Sequence, residues 1–231
     1  MSGRGARVAR KRRTSGSGDD EDESVDSRVQ EIAHCVLSAH SRKGGMKDAE
    51  VKKALSRDAM HISEKQLLDV LGCKLLKDGE RHFIYHDRKM PAASQGMADV
   101  TAEAKQGLLS IVLMFIHMSK NPVVKTDRVK EFALWEFLEQ LEVVQTALHP
   151  VFGLPSKLIA PMNSAEFVAQ GWLSFEKLKG DRDTEEIYYD WGPRAHTAID
   201  PQEMLELFCE ISGDKKEEWK EHVKVRRSST N

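Results

Sequence analysis

Two hairpin signals, each preceded by helical segments, constrain this chain more than any other feature. The first is Asp78-Gly79, set between Lys74-Leu75-Leu76-Lys77 and His82-Phe83-Ile84-Tyr85. Asp and Gly tolerate positive φ, so a reversal between two apolar-rich runs predicts an antiparallel hairpin. The second has strands near Trp172–Lys177 and Glu185–Trp191, with Gly180–Asp183 as its turn.

Helical periodicity fills the space before each hairpin. Val29, Ile32, Ala33, Val36 and Leu37 recur at three- and four-residue steps, and Gly44-Gly45 ends that stripe. A second helix fits Lys47–Arg57, with Val51, Ala54 and Leu55 inward. Ser63 and Gln66 form a capping box that opens a third, bearing Leu67, Leu68, Val70 and Leu71. Three helices and a hairpin between residues 25 and 89 describe a winged helix, a helix-turn-helix variant.

The pattern then repeats. A linker rich in Pro, Ala, Ser and Gly covers 90–101. The helix expected from Ala102 to Met118 is apolar on nearly every side over its second half, so more than one surface must enclose it. Asn121-Pro122 stops it. A helix near Asp127–Val144 places Phe132, Trp135, Leu138 and Leu141 on one face and most of its glutamates on others. A short helix at Ala165–Gln170 leads into the second hairpin. Asp200-Pro201-Gln202-Glu203 supplies an N-cap, a first-turn Pro and a capping-box Glu for a helix expected to bury Met204, Leu205, Leu207, Phe208 and Ile211. Gly213 ends it. The expected organisation is therefore a disordered tail (1–24), winged helix A (25–89), the linker (90–101), winged helix B (102–213) and a charged tail (214–231). The fold class is mainly α with small β-hairpins (α+β), as tandem winged-helix domains.

Charge is uneven along the chain although the net value is only −2. Residues 4–13 hold Arg4, Arg7, Arg10, Lys11, Arg12 and Arg13 with no acid, and Asp19 to Asp26 then hold six acids. A compact cluster at Arg10, Lys11, Arg12 and Arg13 suits a nuclear import signal. From 42 to 90 there are twelve Lys/Arg against eight Asp/Glu, and from 99 to 213 ten against eighteen. Fields of opposite sign favour different partners for the two halves. Three dispersed cysteines, Cys35, Cys73 and Cys209, allow neither a disulfide framework nor a CxxC site, which with the absence of a secretory segment at the N-terminus points to a reducing intracellular compartment.

Nothing in the spacing of residues supports catalysis. There is no GxSxG, HExxH, glycine-rich phosphate loop or paired-carboxylate motif. His34 and His40 do not share a helix face in ligand geometry. His82 and His86 have no Cys or carboxylate partners at zinc-like spacing, and structural roles fit His117, His149 and His196. Neither an enzyme activity nor a cofactor is expected.

Four motifs stand in fixed order in the second half: Trp135-Glu136-Phe137-Leu138, His149-Pro150-Val151-Phe152-Gly153-Leu154-Pro155, Lys157-Leu158-Ile159 and Trp191-Gly192-Pro193-Arg194-Ala195. All are devices for packing or turning the chain. Together they resemble the MAGE homology domain, a family of tandem winged-helix proteins, over about Val25 to Ile211. Within that family the chain looks most like the MAGE-like subunit of the SMC five–six chromosome-maintenance complex.

The resemblance implies a non-catalytic adaptor in the nucleus, on chromatin. It would bind and stimulate a RING-type E3 ubiquitin ligase subunit, bind the kleisin subunit, and contribute to DNA binding in repair by recombination. A leucine pair on the family's first helix helps form the RING-partner surface. Val36-Leu37, with Ile32 one turn earlier, matches it here, valine replacing one leucine. A hydrophobic kleisin groove is implied around Leu109, Val112, Phe115, Trp135 and Leu138.

Those same apolar faces have two readings: the winged helices bury them against each other, or a partner helix inserts between them. Lys52, Lys53, Arg57, Lys65, Lys74, Lys77 and Arg81, followed by Arg88 and Lys89, are the basic candidates for double-stranded DNA. No Asn or Gln pair stands out for reading bases, so binding should be weak and non-specific. The alternatives are a stand-alone winged-helix regulator and a MAGE-type adaptor of a different ligase.

Overall fold

The computed structural model describes residues 34, 37–38, 45–47, 49, 73–86, 99–120, 128–180 and 184–219. Both tails at 1–24 and 220–231, most of the first three expected helices with the Ser63–Gln66 cap, and the linker up to residue 98 lie outside the described residues.

Mixed helices and two small antiparallel sheets form an α+β fold. In chain order the elements are β1 (Met46–Lys47), β2 (Cys73–Asp78), β3 (Arg81–His86), α1 (Val100–Ser119), β4 (Val129–Lys130), α2 (Glu131–Gln140), α3 (Ser156–Ile159), α4 (Glu166–Ala169), β5 (Leu173–Lys179), β6 (Glu185–Trp191), α5 (Pro193–Ala198) and α6 (Pro201–Ser212). A 3-10 turn at Lys216–Trp219 follows.

The two sheets share one topology, β1-β3-β2 and β4-β6-β5. In each, a two-residue strand pairs with the second strand of a hairpin. Met46–Lys47 is thus a strand where a helix was expected to begin, with helical backbone at Ala49. The first hairpin turns at Gly79-Glu80, one residue later than the dipeptide signal suggested. Asp78 pairs directly with Arg81, and Gly79 takes φ 54° as the first turn residue.

The hydrophobic core gathers around α1. Leu108, Leu109, Val112, Leu113 and Ile116 are buried, and every residue from Ile111 to Met118 is at least half-buried. Enclosure on several sides follows from that helix's apolar second half. Leu134, Trp135 and Leu138 of α2, Phe167 of α4, and Leu173, Tyr189 and Trp191 of the hairpin close over it. Two buried polar groups fix the hairpin against the helices. Tyr189 donates its hydroxyl to the Ile159 carbonyl at 2.6 Å. Trp191 donates its indole N–H to the Leu113 carbonyl at 2.8 Å. The end of α1 is tied to the same strand by Lys120, 2.6 Å from Asp190.

Expected inward faces need correcting on two helices. Phe132 is 75% exposed because α2 turns Leu134, Trp135 and Leu138 inward, and Phe132 lies about 200° round the axis from Leu134. Leu141 falls beyond the helix end and is exposed. On α6, Met204, Leu205 and Cys209 are buried, whereas Leu207 and Ile211 share the outer face. The N-cap forms as expected, with Asp200 accepting from the Gln202 amide at 3.0 Å. No helix among the described residues is long and apolar enough to cross a membrane.

The end of α2 stores backbone strain. Val143 donates to Leu138 and Glu142 to Glu139, a Schellman closure that puts Glu142 at φ 62°. A side chain there costs roughly 1–2 kcal/mol, partly offset by the entropy glycine would bring to the unfolded chain. Glu142→Gly should therefore raise stability by about 0.5–1 kcal/mol in urea unfolding. An unchanged or lower midpoint would show that the glutamate makes a compensating contact.

Candidate functional site

The Trp191–Ala195 motif builds a corner in which each residue has a separate task. Trp191 anchors the strand to α1 through the Leu113 carbonyl. Gly192 donates its amide to the Trp172 carbonyl at 2.7 Å, and Arg194 donates its own to the Gly171 carbonyl at 3.0 Å. Pro193 opens α5, with its fixed φ suited to a first helical position. Ala195 is fully buried. Gly192 has φ −79° and ψ 170°, which any residue adopts, so conformation does not demand glycine. Space does: a Cβ there would lie 2.2 Å from the Gly171 carbonyl oxygen.

Arg194 extends from this corner over the Trp172 ring, its guanidinium carbon 4.3 Å from the ring centroid. Burial lowers its pKa to about 10, which leaves it charged at neutral pH. Arginine and tryptophan both line a cleft of about 360 Å³. The first half of α1 lines it too, with Thr101, Lys105, Gln106 and Leu109. Glu166 and Phe167 of α4, and Gln170 of the following turn, complete it. Lys105 and Glu166 pair at 2.7 Å across the cleft, and Gln170 donates to Glu166 at 3.3 Å.

Aromatic, aliphatic and amide groups and charges of both signs line the cleft. Among the described residues no His or Cys lines it. Among the described residues no group of three or more His, Cys, Asp or Glu could hold a metal ion. His149 serves structure: its backbone pairs with Gly153, its ring stacks on Phe152 at 3.7 Å, and its Nδ1 accepts from the Val151 amide.

The expected site residues fall in different places. Ile32 and Val36 lie outside the described residues. Leu37 is helical and 39% exposed. Of the five groove residues, Val112 and Leu138 are fully buried and Trp135 and Leu109 nearly so, inside the hydrophobic core around α1. They cannot themselves form an open groove, because α1 and α2 pack on each other and on the hairpin through them. Phe115 is half-buried and stacks on Phe137 with centroids 4.2 Å apart. Leu109 also touches the cleft.

Lys52, Lys53, Arg57 and Lys65, like Arg88 and Lys89 and the import cluster Arg10–Arg13, lie outside the described residues. On the first hairpin the register pairs Lys74 with Tyr85, Leu76 with Phe83 and Asp78 with Arg81, all on one face. Lys77, paired with His82, is on the other. Arg81 is engaged within the fold, donating to the Ala169 carbonyl at 3.1 Å. Lys74 and Lys77, three apart on one strand, face opposite ways by alternation alone, and the pairing puts Arg81 on the Lys74 face. The cleft residues Lys105, Glu166, Gln170 and Arg194 were missed. Only Arg194, inside a motif, carried any signal.

The family model described as "MAGE homology domain" matches residues 48–202, more than half of the chain. The chain belongs to the MAGE homology domain family. Among curated MAGE relatives, it is 24% identical over 207 residues to "Non-structural maintenance of chromosomes element 3 homolog" of Mus musculus, covering 84% of this chain and 70% of that protein. The Homo sapiens protein of the same description is 26% identical over 205 residues, covering 84% of this chain and 64% of its own length. "Melanoma-associated antigen F1" of Homo sapiens is 26% identical, covering 83% and 62%. A chain of a solved structure titled "Nse1-Nse3-Nse4 complex" superposes with a TM-score of 0.75 at 25% identity, covering 89% of this chain and 99% of that one.

The MAGE corner at Gly192 gives a direct test of its packing. Gly192→Ala should destabilise the protein by about 1–3 kcal/mol through forced backbone displacement, read as a lower thermal midpoint with the helical signal retained before the transition. Parent-like stability would mean that the Gly171–Gly192 approach is not tight in solution.

Proposed function

We propose that this chain is a non-catalytic adaptor subunit of the SMC five–six chromosome-maintenance complex, built as two winged helices in tandem. One observation carries the reading: likeness to a chain of the "Nse1-Nse3-Nse4 complex" over 89% of this sequence and nearly all of that one. The element 3 homologs of mouse and human point the same way. Repetition of one strand order in both sheets supports winged helices at 25–89 and 102–213.

In this reading the first module binds and stimulates a RING-type E3 ubiquitin ligase subunit through Ile32, Val36 and Leu37. Exposure of Leu37 on a helix supports it. The kleisin subunit binds the second module near half-buried Phe115 and Leu109 at the cleft, with Val112, Trp135 and Leu138 as the packed support beneath. Lys52, Lys53, Arg57, Lys65, Lys74 and Lys77 contribute weak contacts to double-stranded DNA, whereas Arg81 is held by the Ala169 carbonyl. Arg10–Arg13 direct the protein to the nucleus, where it works on chromatin in recombinational repair. Similarity to melanoma-associated antigen F1, at the same 26% identity as the human element 3 homolog, favours as second reading a MAGE-type adaptor of another ligase.

Co-expression with a RING subunit of the complex should yield a stable pair. Val36→Asp or Leu37→Asp should weaken it by about tenfold or more, since a carboxylate would be buried without a partner. Equal binding by both folded variants would overturn the surface. Failure of the parent to bind would favour the second reading.

DNA binding should be non-specific, with dissociation constants of roughly 10⁻⁴ to 10⁻⁶ M at physiological salt and a steep loss as salt rises. Discrimination among unrelated duplexes on the order of 10³-fold would point instead to a stand-alone regulator.

A further inference from the structure

Phe83 lies on the first hairpin yet is only 1% exposed, and its cover comes from both halves of the chain. Gly45 of the first half lies on the ring so closely that a Cβ there would come within 2.9 Å of it. Gly171 of the second half does the same, its would-be Cβ 2.7 Å from Cε1. Two glycines therefore form a slot too narrow for any other residue, closed around one ring. Gly171 also takes φ 76°, a conformation that L side chains adopt only with strain.

A second contact sits beside the slot. Arg81, two residues earlier on the same strand face, has its guanidinium carbon 5.6 Å from the Phe83 ring centroid. Its Nη2 donates to the carbonyl of Ala169, at the end of α4. Ring and guanidinium thus grip opposite ends of one short turn, from Ala169 to Gly171, which leads from α4 into β5.

The far side of that turn is the wall of the cleft. Gln170 and Trp172 line it, and Trp172 supports the Arg194 guanidinium. The backbone is shared as well: Gly171 accepts from Arg194, and Trp172 accepts from Gly192. Moving the hairpin would uncover Phe83, remove the donor from the Ala169 carbonyl and release one side of the turn that positions Trp172.

We propose that the β2–β3 hairpin is a latch: Phe83 and Arg81 lock the first module onto the 169–171 turn and thereby set the wall of the cleft. Latch position and cleft occupancy are then thermodynamically linked. A ligand that fits the cleft better with the latch closed favours closure, and opening the latch weakens that ligand by the same factor.

Amide hydrogen exchange and NMR on the full chain test this with two variants, Phe83→Ala and Arg81→Gln. In both, exchange at the Trp172, Gly192 and Arg194 amides should rise by about tenfold or more, a local opening, while Val112 and Ile116 in α1 keep their protection. The Trp172 indole resonance should move in both. If Phe83→Ala loses its hairpin, seen as lost protection along β2 and β3, the half-buried Arg81→Gln decides alone. Parent-like exchange at Trp172 and Gly192 in the folded variants would overturn the latch. A rise spread evenly through α1 would overturn it too, since that reports general loss of stability.

Discussion

The backbones of Gly171 and Gly192 lie against each other with no room for a side chain between them, and much of the fold around the second hairpin is arranged by that approach. It brings the turn after α4 alongside the break after β6, so that the Gly192 and Arg194 amides can donate to the Trp172 and Gly171 carbonyls. Those bonds aim α5 and place Arg194 over Trp172. They also present the opposite surface of Gly171 to Phe83. A single pair of small residues therefore determines the corner, part of the cleft lining and the seat of the first hairpin. A packing constraint of this kind is local in cause and long-range in consequence.

Apolar burial alone would leave the second hairpin free to slide along α1. Register is instead pinned by directional bonds from two residues of β6. The Tyr189 hydroxyl and the Trp191 indole each reach a main-chain carbonyl of a different helix. Burial, with a smaller contribution from Glu131, pushes the Tyr189 pKa upward, so the hydroxyl keeps its proton and remains a donor. The buried phenol O–H and indole N–H would otherwise be unpaired donors, at a cost of about 1–3 kcal/mol each. The same aromatic groups that fill the core thus specify its geometry.

Much of this was legible in the sequence, for reasons that differ by element. Helix α1 announced itself by continuous apolar character, and α6 by Asp200, Pro201 and Gly213 at its ends. Both hairpins followed from turn chemistry. Strands β1 and β4 left no trace, because two residues carry no period and pair only through a partner strand. Phe132, Leu207 and Ile211 were misplaced because hydrophobicity marks candidates for burial without requiring it. The cleft was hidden for a different reason. Lys105, Glu166 and Gln170 stand on separate elements, and only the fold brings them together.

The first hairpin shows how strand alternation changes a functional argument. Lys74, Lys77 and Arg81 read along the sequence as one basic patch. Pairing Asp78 with Arg81 sends Lys77 to the face opposite the other two, because side chains alternate strictly along a strand. Arg81, half-buried, then meets the second half of the chain. A flat run of phosphates could meet Lys74 or Lys77, but not all three cations without breaking the Arg81–Ala169 bond. Cation count in this hairpin therefore overstates its capacity for DNA, and the hairpin's better-supported role is to join the two halves of the chain.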